Sequence, residues 1–138
     1  FALYFGALCG VIGTTSYQNV PELKNQFEKI VDHQVSLYQY GEKEIKNNKI
    51  AIVAGGGNDV EILKEVFKEN INIFVTGITV KNPHSQKAHD FAKQNKINLL
   101  GGTHYSTEKF ACIAMVDYFK KLNLPAEFIE NQPIMEDI

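Results

Sequence analysis

The chain has 138 residues, 44% of them hydrophobic and 22% charged, which is enough apolar material for one core and too much for the disordered class. Its net charge of −2 comes from 14 basic and 16 acidic residues. They are interspersed, so no long-range field draws a polyanion, and nucleic acid is not an expected partner. Cys9 and Cys112 lie far apart and form no CxxC pair, so neither a disulfide framework nor a thiolate zinc site is signalled. They read as reduced, buried thiols of a cytoplasmic protein.

The first stretch, Phe1 to Gly10, is apolar but has no basic flank and is interrupted at Gly10 and Gly13. It is too short for a membrane span and wrongly flanked for a signal peptide. With no initiator Met and an opening in mid-pattern, the sequence reads as a piece of a longer protein. Val11 to Tyr17 reads as a β-branched strand. Pro21 to Asp32 reads as a helix with Leu23, Phe27, Ile30 and Val31 on one face, and Val35 to Tyr40 as a half-buried strand. The polar stretch Gly41 to Asn48 fits either a hairpin connection or a short linker.

From Lys49 the pattern becomes regular. Ile50 to Ala54 is a buried strand, Gly55-Gly-Gly-Asn-Asp a tight turn, and Val60 to Glu69 a helix whose start Asn58 and Glu61 would fix as a capping box. Ile71 to Thr76 is a strand, His84 to Gln94 a helix, Ile97 to Leu100 a strand, Ser106 to Leu122 a helix, and Glu127 to Ile129 a last strand. Such alternation implies right-handed crossovers and an α/β fold with a largely parallel or mixed sheet carrying helices on both faces. In such a sheet the loops leaving the carboxyl ends of the strands gather along one edge, where ligands bind. These loops are Gly55 to Asp59, Gly77 to Pro83 and Gly101 to Ser106.

The third loop carries the strongest local signal, Gly101-Gly-Thr-His-Tyr-Ser-Thr-Glu108. His104 would project from the loop and Glu108 stand on the first helical turn, about 6 Å apart at Cβ, which suits ligands of one metal ion or of two neighbouring ions. Equally open on spacing alone is that Glu108 complements the helix dipole and His104 is an ordinary loop histidine. Gly55-Gly-Gly fits a strand-to-helix turn better than a phosphate cradle, because the spacing of a nucleotide fingerprint is absent. His84 and His89 are five apart, a spacing that does not stack two side chains for a joint chelate. His33, at the end of a helix, reads as a dipole partner. No Ser or Cys stands on a nucleophile elbow.

Gly55-Gly-Gly, Val75-Thr-Gly77, the box Gly102-Thr-His-Tyr-Ser-Thr-Glu108 and Phe128-Ile-Glu, in that order, resemble the C-terminal half of the Nif-three-like family. These are NGG-interacting factor 3 relatives, also described as GTP cyclohydrolase I type 2 homologues and dinuclear metal centre proteins. The resemblance covers roughly Ile50 to Pro133, and more loosely Phe5 to Gly13. It implies that residues 1–138 form the C-terminal half of such a protein, with 1–48 an opening segment, 49–138 the ligand-bearing α/β segment, and the N-terminal half not present. It further implies two divalent metal ions (Fe, Zn, Mn or Co) with His104 and Glu108 among their ligands, a His-His pair and an Asp coming from the other half. Thr103, Tyr105, Thr76 and Gly77 would orient the ligands or touch a small-molecule or nucleotide substrate. Assembly into a ring of six built from dimers is implied as well, in keeping with the apolar Phe1 to Leu8. One departure is Ile78, where relatives commonly have Glu after the Thr-Gly pair. Two functions are compatible with this: a metal-dependent, cyclohydrolase-like hydrolase, or a non-catalytic metal (iron) carrier or regulatory interaction protein.

Overall fold

The computed structural model describes residues 1–4 and 6–138; Phe5, where the looser part of the resemblance starts, lies outside them. After a short hairpin of β1 (Leu3–Tyr4) and β2 (Ala7–Leu8) come β3 (Val11–Thr14), α1 (Val20–Val31), β4 (Ser36–Tyr38), β5 (Lys49–Val53) and α2 (Val60–Lys68). They are followed by β6 (Ile73–Thr76), α3 (Gln86–Gln94), β7 (Asn98–Gly101) and α4 (His104–Lys121). The main sheet has five strands in the order β3-β5-β6-β7-β4. Its three central strands are parallel, whereas β3 and β4 run antiparallel to them at the edges. The sheet is therefore mixed.

Period-two alternation buries both faces of the central strands. On one face Ile73, Val75 and Leu100 meet Val20, Leu23 and Val31 of α1. On the other, Ala51, Val53, Phe74 and Leu99 meet Ile62, Leu63 and Val66 of α2 and Ala88 and Ala92 of α3. Each fully buried Leu, Ile or Val contributes about 1.5–3 kcal/mol relative to exposure, so these two layers are the main source of stability. Ile30, expected on the inner face of α1, is half exposed at the rim of that face. The last helix differs: of α4, only Ser106 is buried, while Phe110, Ile113, Met115, Tyr118 and Phe119 are exposed. No helix among the described residues is long and apolar enough to cross a membrane.

Segment 41–48 is neither a hairpin connection nor a loose linker. Because β4 pairs with β7 and not with β5, the chain must cross beneath the amino ends of β6 and β7 to reach its next strand. Two buried asparagines peg it there: Asn98 accepts from Gly41 N (2.8 Å) and donates to Glu42 O (2.7 Å), and Asn72 accepts from Lys46 N (2.9 Å) and donates to Glu44 O (2.7 Å).

Several boundaries shift for local reasons. The strand expected over Val11 to Tyr17 stops at Thr14, after which the Thr15 hydroxyl accepts from Tyr17 N and bends the chain. The cap of α2 is Asp59, accepting from Glu61 N at 2.7 Å, rather than Asn58. His84 stands outside α3, because Asn82 Oδ1 takes the amides of His84 and Ser85 in a turn of its own. The expected strand at Glu127 to Ile129 is irregular: it lies beside α4, not beside a sheet edge, and finds no ladder to join. Cys9 and Cys112 are both exposed free thiols, not buried ones, since the segments that carry them do not enter either core layer.

Candidate metal centre

Parallel pairing brings the ends of β5, β6 and β7 to one edge, and the loops that leave them are bonded together. The Gly55 carbonyl accepts from Gly77 N (2.9 Å), Ile78 N (3.0 Å) and the Thr76 hydroxyl (3.2 Å). Thr76 Oγ1 in turn accepts from Gly57 N at 2.9 Å, and Gly102 N donates to Thr76 O at 2.9 Å. Thr76 and Gly77 thus fix the loop around Gly55. A Cβ on Gly77 would come within 2.6 Å of both Gly55 O and Thr107 Oγ1, which explains the glycine there.

The third loop ends in a helix start that periodicity alone placed two residues late. Thr103 Oγ1 accepts from Ser106 N (3.1 Å) and Ser106 Oγ accepts from Thr103 N (3.0 Å), a reciprocal cap that makes His104 the first helical residue. His104 and Glu108 then lie one turn apart on the same face of α4, with His104 Nε2 3.1 Å from Glu108 Oε1. Thr107, on the same turn, accepts from Gly55 N at 2.9 Å and ties α4 to the first loop. Gly55 has φ +69, a backbone region that side chains resist. A Cβ on it would collide with Glu108 Oε1 and stand 2.9 Å from His104 Nε2. The imidazole and carboxylate therefore occupy a cradle that only glycine leaves open.

An imidazole nitrogen and a carboxylate oxygen 3.1 Å apart are spaced as neighbouring donors on one divalent cation would be, so the residues present fit the group the resemblance implies. No set of three or more His, Cys, Asp or Glu side chains among the described residues is grouped to hold a metal ion. The candidate site is thus a pair of side chains. Tyr105 turns away from it, its hydroxyl accepting from Asn131 N at 2.8 Å. His84 is exposed and His89 is buried elsewhere, so the two do not form a chelate. His33 follows α1, with Nδ1 2.6 Å from Gln34 O, remote from the three loops in sequence and bonded only locally.

Two participants were not singled out from sequence. Thr107 sits three residues after His104 in the helix, and that spacing could have marked it. Asp137 could not have been found so: its carboxylate accepts from His104 N at 2.8 Å across 33 residues of chain, and nothing local signals the contact. Beside the pair, on the α1 face, an apolar cavity of about 280 Å³ opens between Phe27, Ile52, Val75, Thr107 and Phe110.

A mixed sheet with helices on both faces agrees with the fold the motifs implied. The chain belongs to the Duf34/NIF3 (NGG1p interacting factor 3) family, whose model matches residues 6–133. Over 130 residues it is 28% identical to the GTP cyclohydrolase 1 type 2 homolog of Borreliella burgdorferi, covering 94% of this chain and 48% of that one. Among solved structures it is similar to protein ybgI (TM-score 0.76, 16% identity, 91% of this chain and 49% of that one). It is also similar to Staphylococcus aureus protein SA1388 (0.66, 23%, 91% and 36%). A third likeness is to reduced HcgD from Methanocaldococcus jannaschii (0.65, 20%, 86% and 44%). At these identities the structures establish the fold. The chain spans about half the length of the relatives it matches, or less.

Proposed function

We propose that this is a metal-binding protein in which His104 and Glu108 hold a divalent cation at the carboxyl edge of the sheet, as part of a two-ion site. The observation that carries the reading is the 3.1 Å approach of His104 Nε2 to Glu108 Oε1 over a glycine that leaves the space free. A metal bound there would polarise a substrate oxygen and acidify a bound water, the chemistry of a hydrolase. The chain's own residues place the donors. Thr103 and Ser106 start α4, Thr107 ties it to Gly55, and Thr76 and Gly77 hold Gly55 still. Two donors fall short of the about four to six that Zn, Mn, Fe or Co take. We assign the others to the remainder of a longer protein, of which residues 1–48 and 49–138 make the C-terminal half. The name of the Borreliella relative points to a nucleotide substrate.

A second reading, a non-catalytic carrier of iron or a similar ion, is favoured by Ile78, which stands where relatives commonly have a Glu after the Thr-Gly pair. Metal analysis of the full-length protein tests the shared premise. Glu108→Gln and His104→Ala should each lower bound metal at least about tenfold, because an amide or a methyl is a poor donor. Thermal unfolding without metal should change by no more than about 1 kcal/mol. Unchanged metal content in Glu108→Gln would defeat the ligand assignment. Incubating the loaded protein with nucleotides then separates the readings: a hydrolase releases product, a carrier only metal.

A further inference from the structure

After α4, a helix about 27 Å long, the chain turns and comes back along it. Leu124 N donates to Phe119 O (3.0 Å) at the far end, Glu130 lies 3.9 Å from Lys109, and Asn131 N donates to the Tyr105 hydroxyl. The return pass thus arrives where α4 begins, and there Asp137 makes three hydrogen bonds to two other segments. Its carboxylate Oδ2 accepts from His104 N at 2.8 Å, at the positive end of the helix dipole. Its carbonyl accepts from Thr79 N and Val80 N, both at 2.9 Å, in the loop that follows β6.

These contacts close a frame. The same β6 loop donates to Gly55 O through Gly77 and Ile78, and Gly55 N is bound by Thr107 of α4. Asp137 joins the two sides of that frame at the His104 backbone. Loop-to-loop contacts fix Gly55, and among the described residues Asp137 alone links the His104 amide to the β6 loop. His104 is the first helical residue, and the first turn of a helix frays most easily where its amides lack partners. Two of the free amides of that turn are taken by Thr103 and Asp137.

We propose that Asp137 is a positioning residue for the metal pair: the returning segment is a clasp that holds the His104 backbone, and through it the imidazole, at the separation from Glu108 that an ion requires. Asp137 acts through its hydrogen bonds and is not itself a ligand, since its carboxylate is turned to the amide. The inference rests on the metal reading above. Removing a partner of a ligating side chain lowers metal affinity about 10–100-fold; Asp137 acts on the His104 backbone instead, so the effect is expected near the lower end of that range.

The test uses the full-length protein, Co²⁺ alone as the probe, and the substitutions Asp137→Ala and Asp137→Asn. Asn keeps an oxygen that can accept from His104 N, and Ala does not. Asp137→Ala should weaken Co²⁺ binding at least about tenfold and alter the visible absorption of the bound ion, while Asp137→Asn stays within about threefold of wild type. Without metal, amide exchange at His104, Thr79 and Val80 should be faster in Asp137→Ala by about tenfold or more, with the core amides of β6 and β7 unchanged. Wild-type Co²⁺ affinity in Asp137→Ala, or an equal loss in Asp137→Asn, would overturn the proposal and leave His104 and Glu108 as ligands. Unchanged His104 exchange in Asp137→Ala would overturn it with no reference to metal. If His104→Ala also bound Co²⁺ like wild type, the metal reading itself would fall.

Discussion

His89 is buried with both ring nitrogens engaged. Because a carbonyl only accepts, Nε2–H donates to Thr79 O (2.9 Å), and Nδ1 is left to accept from the Tyr40 hydroxyl (2.9 Å). This neutral tautomer pins the loop that Asp137 also grips. Burial pushes the imidazole below its usual 6.5, with the charge of nearby Lys81 acting in the same direction and Thr79 and Asp90 opposing. The unfolded chain therefore takes up this proton at a higher pH than the folded one. The stabilisation from His89 is complete above about pH 6.5 and is lost as pH falls through the lowered folded value. In urea titrations the stability difference between wild type and His89→Gln should be largest at neutral pH and shrink on acidification. A difference independent of pH would show that His89 does not couple folding to protonation.

Among the elements, the crossing segment 41–48 shows how a polar stretch becomes part of the fold. Its backbone amides and carbonyls lie against the amino ends of two buried strands, and Asn72 and Asn98 satisfy them. Removing such a partner leaves buried backbone groups unbonded, each at about 1–3 kcal/mol. Asn98→Ala should accordingly destabilise the protein by about 2 kcal/mol or more by chemical denaturation, with β4 loosened relative to β7 in hydrogen exchange. A change under about 0.5 kcal/mol would mean that the crossing is held by its neighbours instead. The elements at the site obey the same logic. Thr103 and Ser106 each accept from the other's backbone amide, Thr107 accepts from Gly55 N and Asp137 from His104 N, and this is what makes a loop-to-helix junction rigid enough to present two side chains together.

For the whole molecule, α4 is the helix left most exposed, with Ser106 alone of its residues buried. Charged residues such as Lys109, Asp117 and Lys120 share α4 with large apolar ones, and Phe110, Ile113, Met115, Tyr118 and Phe119 are exposed here. We propose that in the full-length protein this surface is covered within a homo-oligomer, the ring of six built from dimers that the family resemblance implies. Sedimentation of the full-length protein at micromolar concentration should show an assembly, and Ile113→Glu with Met115→Glu should shift it toward smaller species. A full-length monomer would remove this account of α4.

The pattern of apolar residues was sufficient to determine that strands and helices alternate, that the sheet is covered on both faces, and that three loops leave the carboxyl ends of β5, β6 and β7. Period two and period 3.6 are properties of local backbone geometry and are written in the order of side chains. Glycines, and a His and Glu one turn apart, were legible for the same reason: spacing within a single element is local. The edge strands β3 and β4 run antiparallel, which alternation does not reveal because strand direction depends on where the connecting segment crosses. Thr107 joined the candidate site only when the loops met, and Gly55 became indispensable only when α4 brought Glu108 against it. Asp137 reaches His104 because the chain returns along α4. Contacts between segments far apart in sequence are set by packing, and no residue's neighbours in the chain carry that information.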